Sequence, residues 1–264
     1  MPELPEVETI VRGLKPIEGT VIERVDVLDD RLAVTADDLR GVTIDTVARR
    51  GKHIVIRVVD RGDLVVHLRM SGRLCLERTE REAAYTRLVL HLGSGDRVYF
   101  INPRRLGTVR LCPDGLDAAL GVEPLQPAFT VEAFAEMAAA SRSAIKPFLL
   151  DQRRIAGLGN IYAAEALWRA GIDPRRRADS LEEPETARLH QAIVDVLTEA
   201  IDQLGTTLGT SVSDYRPSDA ASGEFQNHLA VYARESEPCE RCETKIERIT
   251  QAGRSTYLCP ACQQ

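Results

Sequence analysis

Residues 145–170 read IKPFLLDQRRIAGLGNIYAAEALWRA. Two apolar helical runs, IKPFLLDQ and NIYAAEALWRA, flank IAGLGN, whose two glycines must turn the chain tightly. A helix, a short glycine turn and a second helix make a helix-turn-helix-like element. Asn160 stands where a capping side chain would satisfy the first N–H groups of the second helix. What this element belongs to depends on the segments around it.

Towards the N-terminus, VEAFAEMAAA (131–140) is another helical run, and PLQPAF (124–129) reads as a linker before it. Ahead of the linker the texture changes. VIERVDVL, HIVIRVV, LVVHLRM, TRLVLHL, RVYFI and TVRLC are short and β-branched, with DRGD, LGSGD and NPRR between them. Short strands at this spacing predict an antiparallel sandwich or barrel over about 20–112. At the start of the chain, MPELPEVETIVRGL places Val7, Ile10, Val11 and Leu14 on one face of an amphipathic helix. Pro5 suits its first turn, and Glu6 and Glu8 complement the positive end of its dipole. Towards the C-terminus, ETARLHQAIVDVLTEAIDQL runs as a long helix to Gly205. Residues 206–227 are rich in Gly, Ser, Thr and Asp and read as a loop. The fold class expected is α+β: a leading helix with a two-sheet antiparallel sandwich, a helical domain, and a small C-terminal hairpin.

The last 26 residues hold CERC, 16 intervening residues and CPAC. Each CxxC knuckle points two sulfurs at one centre, and two knuckles close a tetrahedron. Cys239, Cys242, Cys259 and Cys262 are therefore expected to hold one structural Zn²⁺, with no open coordination position. A redox dithiol pair would need a βαβ context that the sequence lacks. Gly253 turns the hairpin between them and exposes Arg254, a residue able to grip a phosphate bidentately. Cys75 and Cys112, alone in apolar runs, read as buried thiols.

At 264 residues and 44% hydrophobic content the chain can build more than one core, yet aromatics are only 5%. No apolar run approaches a membrane span and no signal segment opens the chain, so a cytoplasmic protein is expected. The net charge of −6 does not exclude nucleic acid, because a binding face needs only local positive charge. RRGKH at 49–53 and Arg104–Arg105 supply candidate clusters, whereas Arg175–Arg177, just after Asp-Pro, reads as a solvated surface run.

The N-terminus permits chemistry. Methionine before proline is normally removed, leaving Pro2 as a secondary amine at a helix start. Such an amine can attack an aldehyde-like carbon and form an iminium ion, whose fixed charge acidifies the adjacent C–H. Glu3 can serve as the acid. A helix cap explains the same residues without catalysis.

MPELPEVET, HLRMSG, NPRRLG, AGLGNIYAAEAL and CERC…CPAC occur in order along the whole chain. Together they resemble the formamidopyrimidine-DNA glycosylases, and the MPELPE start resembles that branch more than the endonuclease VIII branch. The resemblance implies a catalytic sandwich domain (1–125), a helix-two-turn-helix domain with a lesion-covering loop (126–230) and a zinc finger (231–264), with DNA between the first two. It implies a monomeric enzyme, with no membrane partner, that flips a damaged nucleotide out of double-stranded DNA, cuts the glycosidic bond and eliminates both phosphates. Pro2 matches the Schiff-base nucleophile, Glu3 the acid and Glu6 a supporting carboxylate. Lys52 matches the proton donor in β-elimination, and Arg254 the finger arginine of δ-elimination. His67, Lys146 and Asn160 match DNA-backbone contacts. Met70, Arg104 and Leu106 match the residues that fill the gap left by the flipped base. Tyr215 and Arg216 are candidates in the lesion loop.

The sequence departs from the family pattern at four places. Asn102 and Leu106 replace the Asp and Phe of DPRRFG, Arg69 stands where glycine is common, and Tyr85 stands where a DNA-binding histidine is usual. Two rival readings are an endonuclease VIII-like preference for oxidised pyrimidines and a non-catalytic zinc-ribbon DNA-binding protein.

Overall fold

The structure is a computed structural model that describes residues 1–116, 119–207 and 223–264. It divides into two compact units, Met1–Ala118 with Gln203–Gln226, and Ala119–Asp202 with Asn227–Gln264. The ribbon thus clusters with the helical segment, and residues 203–207 and 223–226 cluster with the first unit.

In the first unit, helix α1 spans Leu4–Leu14. Glu3 is its N-cap and forms a capping box with Glu6, and a proline sits in the first turn. Its stripe of Val7, Ile10, Val11 and Leu14 is at most 4% exposed. Eight strands follow: β1 (Ile22–Val27), β2 (Ile44–Arg50), β3 (His53–Val58), β4 (Gly62–His67), β5 (Arg73–Cys75), β6 (Thr86–Leu92), β7 (Arg97–Ile101) and β8 (Thr108–Cys112). They form two four-stranded sheets, in the orders β1-β6-β7-β5 and β2-β3-β4-β8, with every pairing antiparallel. One core cluster joins Leu88, Leu90 and Phe100 of the first sheet to Ile54, Ile56 and Val66 of the second and to the α1 stripe.

Each of the six strand-like runs contains a strand. Strands β2 and β5 went unrecognised because only two of seven side chains of β2 are buried and β5 has three residues. Short helices α2 (Ala36–Leu39) and α3 (Glu80–Ala83) also escaped notice, each fixed by a capping box, Thr35 with Asp38 and Thr79 with Glu82. Cys75 is buried as expected; Cys112 is only half-buried.

The second unit holds α4 (Val131–Ala139), α5 (Ile145–Leu150), α6 (Asn160–Ala170), α7 (Glu183–Asp202) and the hairpin β9 (Glu247–Gln251) with β10 (Arg254–Leu258). Helix α6 is its spine: all but Asn160 and Arg169 are buried. The turn before it uses Gly157 at φ +89. One expectation is corrected. Gly159, not Asn160, is the N-cap, and Asn160 is the first helical residue. Its Nδ2 donates sideways to the Ser255 carbonyl, and its Oδ1 accepts no helix N–H. Gly171, at φ +72, ends α6 in the left-handed conformation. Within 124–129, Gln126, Pro127 and Ala128 are exposed as a linker would be, but Pro124 is buried, and Phe129 is buried and stacks on His190 with ring centroids 4.6 Å apart. Among the described residues no helix is long and apolar enough to cross a membrane.

Candidate functional site

The first unit gathers buried acids at the start of α1. Pro2 is buried, and Glu3 and Glu6 are 3% and 1% exposed. The Glu3 N–H donates to Glu6 Oε2 at 2.7 Å, and the Thr206 N–H donates to Glu6 Oε1 at 2.8 Å. Gly205 has φ +80, and a Cβ there would lie 2.7 Å from Glu6 Oε1. Only glycine lets the chain pass this close. Glu6 therefore locks the Gly205–Thr206 backbone onto the helix start. One turn on, Glu8 accepts from Arg49 Nε at 3.0 Å and ties α1 to β2. Lys52, in the turn after β2, is buried.

On β4, His67 lies edge-on to His53 with centroids 4.7 Å apart. Burial first, then repulsion from His53, Arg69 and Lys52, push its pKa down to about 3. The ring is neutral at working pH. The Arg69 N–H donates to His67 Nδ1 at 3.0 Å, which places the ring proton on Nε2. His67 thus offers one neutral N–H donor.

Met70 and Leu106 are 45% and 53% exposed, and Tyr85 37%. From the residues alone, Met70 and Leu106 would have been assigned to a core; they stand in solvent instead. Arg104 is exposed too. Arg69 has φ +54, which gives the physical reason glycine suits its place. Asn102 is buried, with Nδ2 donating to Gly107 O at 3.2 Å, so its amide closes the loop around Arg104.

In the second unit three site residues converge on the start of β10. Lys146, 1% exposed, donates from Nζ to Ser255 O at 3.0 Å and Thr256 Oγ1 at 2.8 Å. Asn160 Nδ2 donates to the same Ser255 carbonyl at 3.0 Å. Arg254, the neighbouring residue, is exposed. The turn before it holds Ala252 and Gly253 at φ +47 and +74, the signs of a type I′ hairpin turn. Lys146 and Asn160 thus grip the base of the arginine's strand.

The cysteine sulfurs all lie within 4.8 Å of one another. Cys239–Cys262, Cys242–Cys259 and Cys242–Cys262 are 3.9, 3.4 and 3.3 Å apart. A tetrahedron with Zn–S bonds near 2.3 Å has edges of about 3.8 Å, so the four residues fit one zinc ion. The ribbon is anchored to α6: Arg241 lies 3.9 Å over the Trp168 ring and donates to the Trp168 and Arg169 carbonyls.

Arg175, Arg176 and Arg177 are neutralised by Asp173, Glu185 and Asp179, so this run is an ion-paired surface. Tyr215 and Arg216 lie outside the described residues. The sequence reading missed Ser255, Thr256, Gly205, Thr206 and His53, whose contacts are with distant segments. It also missed Glu165, the one acid of α6. Its carboxylate accepts backbone N–H bonds from Ala230, Val231 and Tyr232, and burial pushes its pKa up.

The helix-led sandwich, the glycine-turn helix pair and the four-cysteine ribbon have counterparts among known proteins. Family models match along the chain: the formamidopyrimidine-DNA glycosylase N-terminal domain at residues 1–109, the formamidopyrimidine-DNA glycosylase H2TH domain at 120–212, and a zinc finger found in FPG and IleRS at 236–264. Formamidopyrimidine-DNA glycosylases of Paracoccus denitrificans and Gluconobacter oxydans are 44% and 45% identical, with full coverage of both chains. The MutM (FPG) protein of Thermus thermophilus superposes with a TM-score of 0.89 at 41% identity, over 99% of this chain and 98% of that one. A Lactococcus lactis FPG variant in complex with a Fapy-dG containing DNA gives 0.88 at 35% identity, with full coverage of both chains. The chain belongs to the formamidopyrimidine-DNA glycosylase family.

Proposed function

We propose that this protein is a bifunctional glycosylase and abasic-site lyase that excises 8-oxoguanine and formamidopyrimidines from double-stranded DNA during base excision repair. The observation that carries the reading is the buried Pro2–Glu3–Glu6 group at the start of α1, in a chain of this family. With Met1 removed, the Pro2 nitrogen is a secondary amine that adds to C1′ as the C1′–N bond to the base breaks. Glu3, buried one residue away, donates the proton that assists base departure. Glu6 holds the Glu3 backbone and the Gly205–Thr206 segment in register. Cleavage of the C1′–O4′ bond, with O4′ taking a proton, gives the iminium ion; water removes the acidified C2′ proton, the C3′–O3′ bond to the 3′ phosphate breaks, and Lys52 donates a proton to the departing phosphate. Arg254 acts in the second elimination, which releases the 5′ phosphate.

His67 donates its Nε2 proton to a DNA phosphate, and Tyr85 adds a polar contact. Lys146 and Asn160 set the hairpin that carries Arg254 towards the backbone. Met70 and Leu106, apolar and exposed, fill the gap left by the flipped nucleotide, and Arg104 faces the orphaned base. Tyr215 and Arg216 are candidates for contact with the flipped base. The reading assigns catalysis to 1–125, the lesion loop and backbone grip to 126–230 and the finger to 231–264, with zinc, when bound, fixing the finger's shape. It takes the protein to act as a cytoplasmic monomer.

A panel of duplexes with single lesions tests the substrate. Excision of 8-oxoguanine and formamidopyrimidines well ahead of oxidised pyrimidines is expected. The reverse order would assign the chain to the endonuclease VIII-like reading.

A further inference from the structure

Asn102 removes a negative charge from the loop that carries Arg104 and Leu106. The structure supplies one from elsewhere in the chain. Asp29, after β1 and only 3% exposed, accepts from Arg105 Nε at 2.7 Å and, through its other oxygen, from the Arg105 terminal nitrogen. The Arg31 N–H donates to the same carboxylate at 3.1 Å, and Arg87 Nε stands 3.9 Å away. The guanidinium of Arg105 beside it holds the Asp29 carboxyl down to about 2, so the pair is ionic at any working pH.

This fork-to-fork contact holds an improbable backbone. Arg105 lies in the left-handed region at φ +52, where a side chain without compensation is strained. The loop is tied at its other points. The Arg105 N–H donates to Asn102 O at 3.2 Å, and the Asn102 N–H to Tyr85 O at 2.8 Å. The Ala33 N–H donates to Val109 O at 3.0 Å, just past the loop. With Arg105 folded back onto Asp29, its neighbours Arg104 and Leu106 are the ones turned outward.

We infer that Asp29 is a positioning residue for opposite-base selectivity: by holding Arg105 it fixes the loop so that the Arg104 guanidinium meets the base left unpaired. The inference rests on the proposed role of Arg104. Two donors from one guanidinium match cytosine, which presents two acceptors on its pairing edge. Adenine presents an acceptor and a donor. Selectivity for cytosine therefore depends on where the guanidinium is held, and a loosened loop lets it accommodate either base.

The test compares wild type with Asp29→Asn, an isosteric change, and with Arg105→Gln. Single-turnover excision of 8-oxoguanine is measured opposite cytosine and opposite adenine. Borohydride trapping on preformed abasic DNA is run in parallel, with melting curves as the folding control. The cytosine-over-adenine ratio should fall about tenfold in either variant, the discrimination one well-placed bidentate contact supplies. The double variant should lose no more than either single one, because both break one contact. Trapping should persist. An unchanged ratio in folded, trapping variants overturns the inference, as does full additivity in the double variant. Absence of trapping in the wild type would instead overturn the enzymatic reading.

Discussion

Two buried clusters, one in each unit, carry charge of opposite sign. At the start of α1 the buried groups are acids, and Glu6 is filled by backbone N–H donors from Glu3 and Thr206. At the ribbon the buried group is the Lys146 ammonium, filled by a backbone carbonyl and a hydroxyl of β10. A buried group is costly unless its partners are in place, so both clusters fix the backbone around them. What they leave available differs. The first sets Glu3 beside the only nitrogen that processing can turn into an amine. The second sets an exposed guanidinium at the tip of a braced hairpin. On the proposed reading, base removal rests on the first cluster, while the second carries the arginine of the last elimination and the grip on the backbone, and each can be removed alone.

The largest effect should come from the acidic cluster. Glu3→Gln keeps the shape and removes the proton donor, so base excision should fall by roughly 10²–10⁴ while trapping on preformed abasic DNA survives. Single-turnover kinetics on both substrates checks this, and excision within tenfold of wild type would remove Glu3 from the acid role. Next is the ribbon. Cys259→Ser should release zinc and weaken DNA binding, with a smaller salt dependence, while the sandwich stays folded. Metal stoichiometry and binding titrations at several salt concentrations read it out; tight, salt-sensitive binding without zinc would break the division of labour.

A smaller effect tests the spine of the second unit. Glu165→Ala strips three backbone N–H groups of their acceptor, each worth about 1–3 kcal/mol when left unsatisfied. Urea unfolding should show a loss of a few kcal/mol, and Glu165→Gln should lose less. The smallest effect is an absence. The pKa of His67 is lowered from its ordinary value near 6.5 to about 3, so the unfolded chain takes up this proton before the folded one. Its contribution to stability is complete above about pH 6.5 and is lost as pH falls from there towards 3. As a neutral donor it should give DNA binding no step between pH 8 and 5. Replacing it with Gln should leave the pH profile unchanged in shape, and a midpoint near 6.5 that vanishes in the variant would show a charged contact.

Much of this was legible in the sequence, for reasons particular to each element. The α1 stripe, the alternating runs of β6 and the CxxC pairs follow local periodicity or spacing, and all appear where expected. Strand β2 did not show, since its outward residues dilute the pattern. Asn160 misled because its amide bonds 95 residues away, to Ser255. The same non-local character hid Glu6 with Thr206 and Asp29 with Arg105. Exposure was the other hidden variable: Met70 and Leu106 are apolar, and only the fold shows that they face solvent.

The central claim, that the amine of Pro2 is the nucleophile, is tested most directly by the intact mass of the purified protein followed by borohydride trapping on abasic DNA. The account predicts a mass lacking Met1 and one covalent adduct per chain, mapped by peptide mass to the Pro2 nitrogen. A processed protein that forms no adduct, or forms it on a lysine, would contradict it.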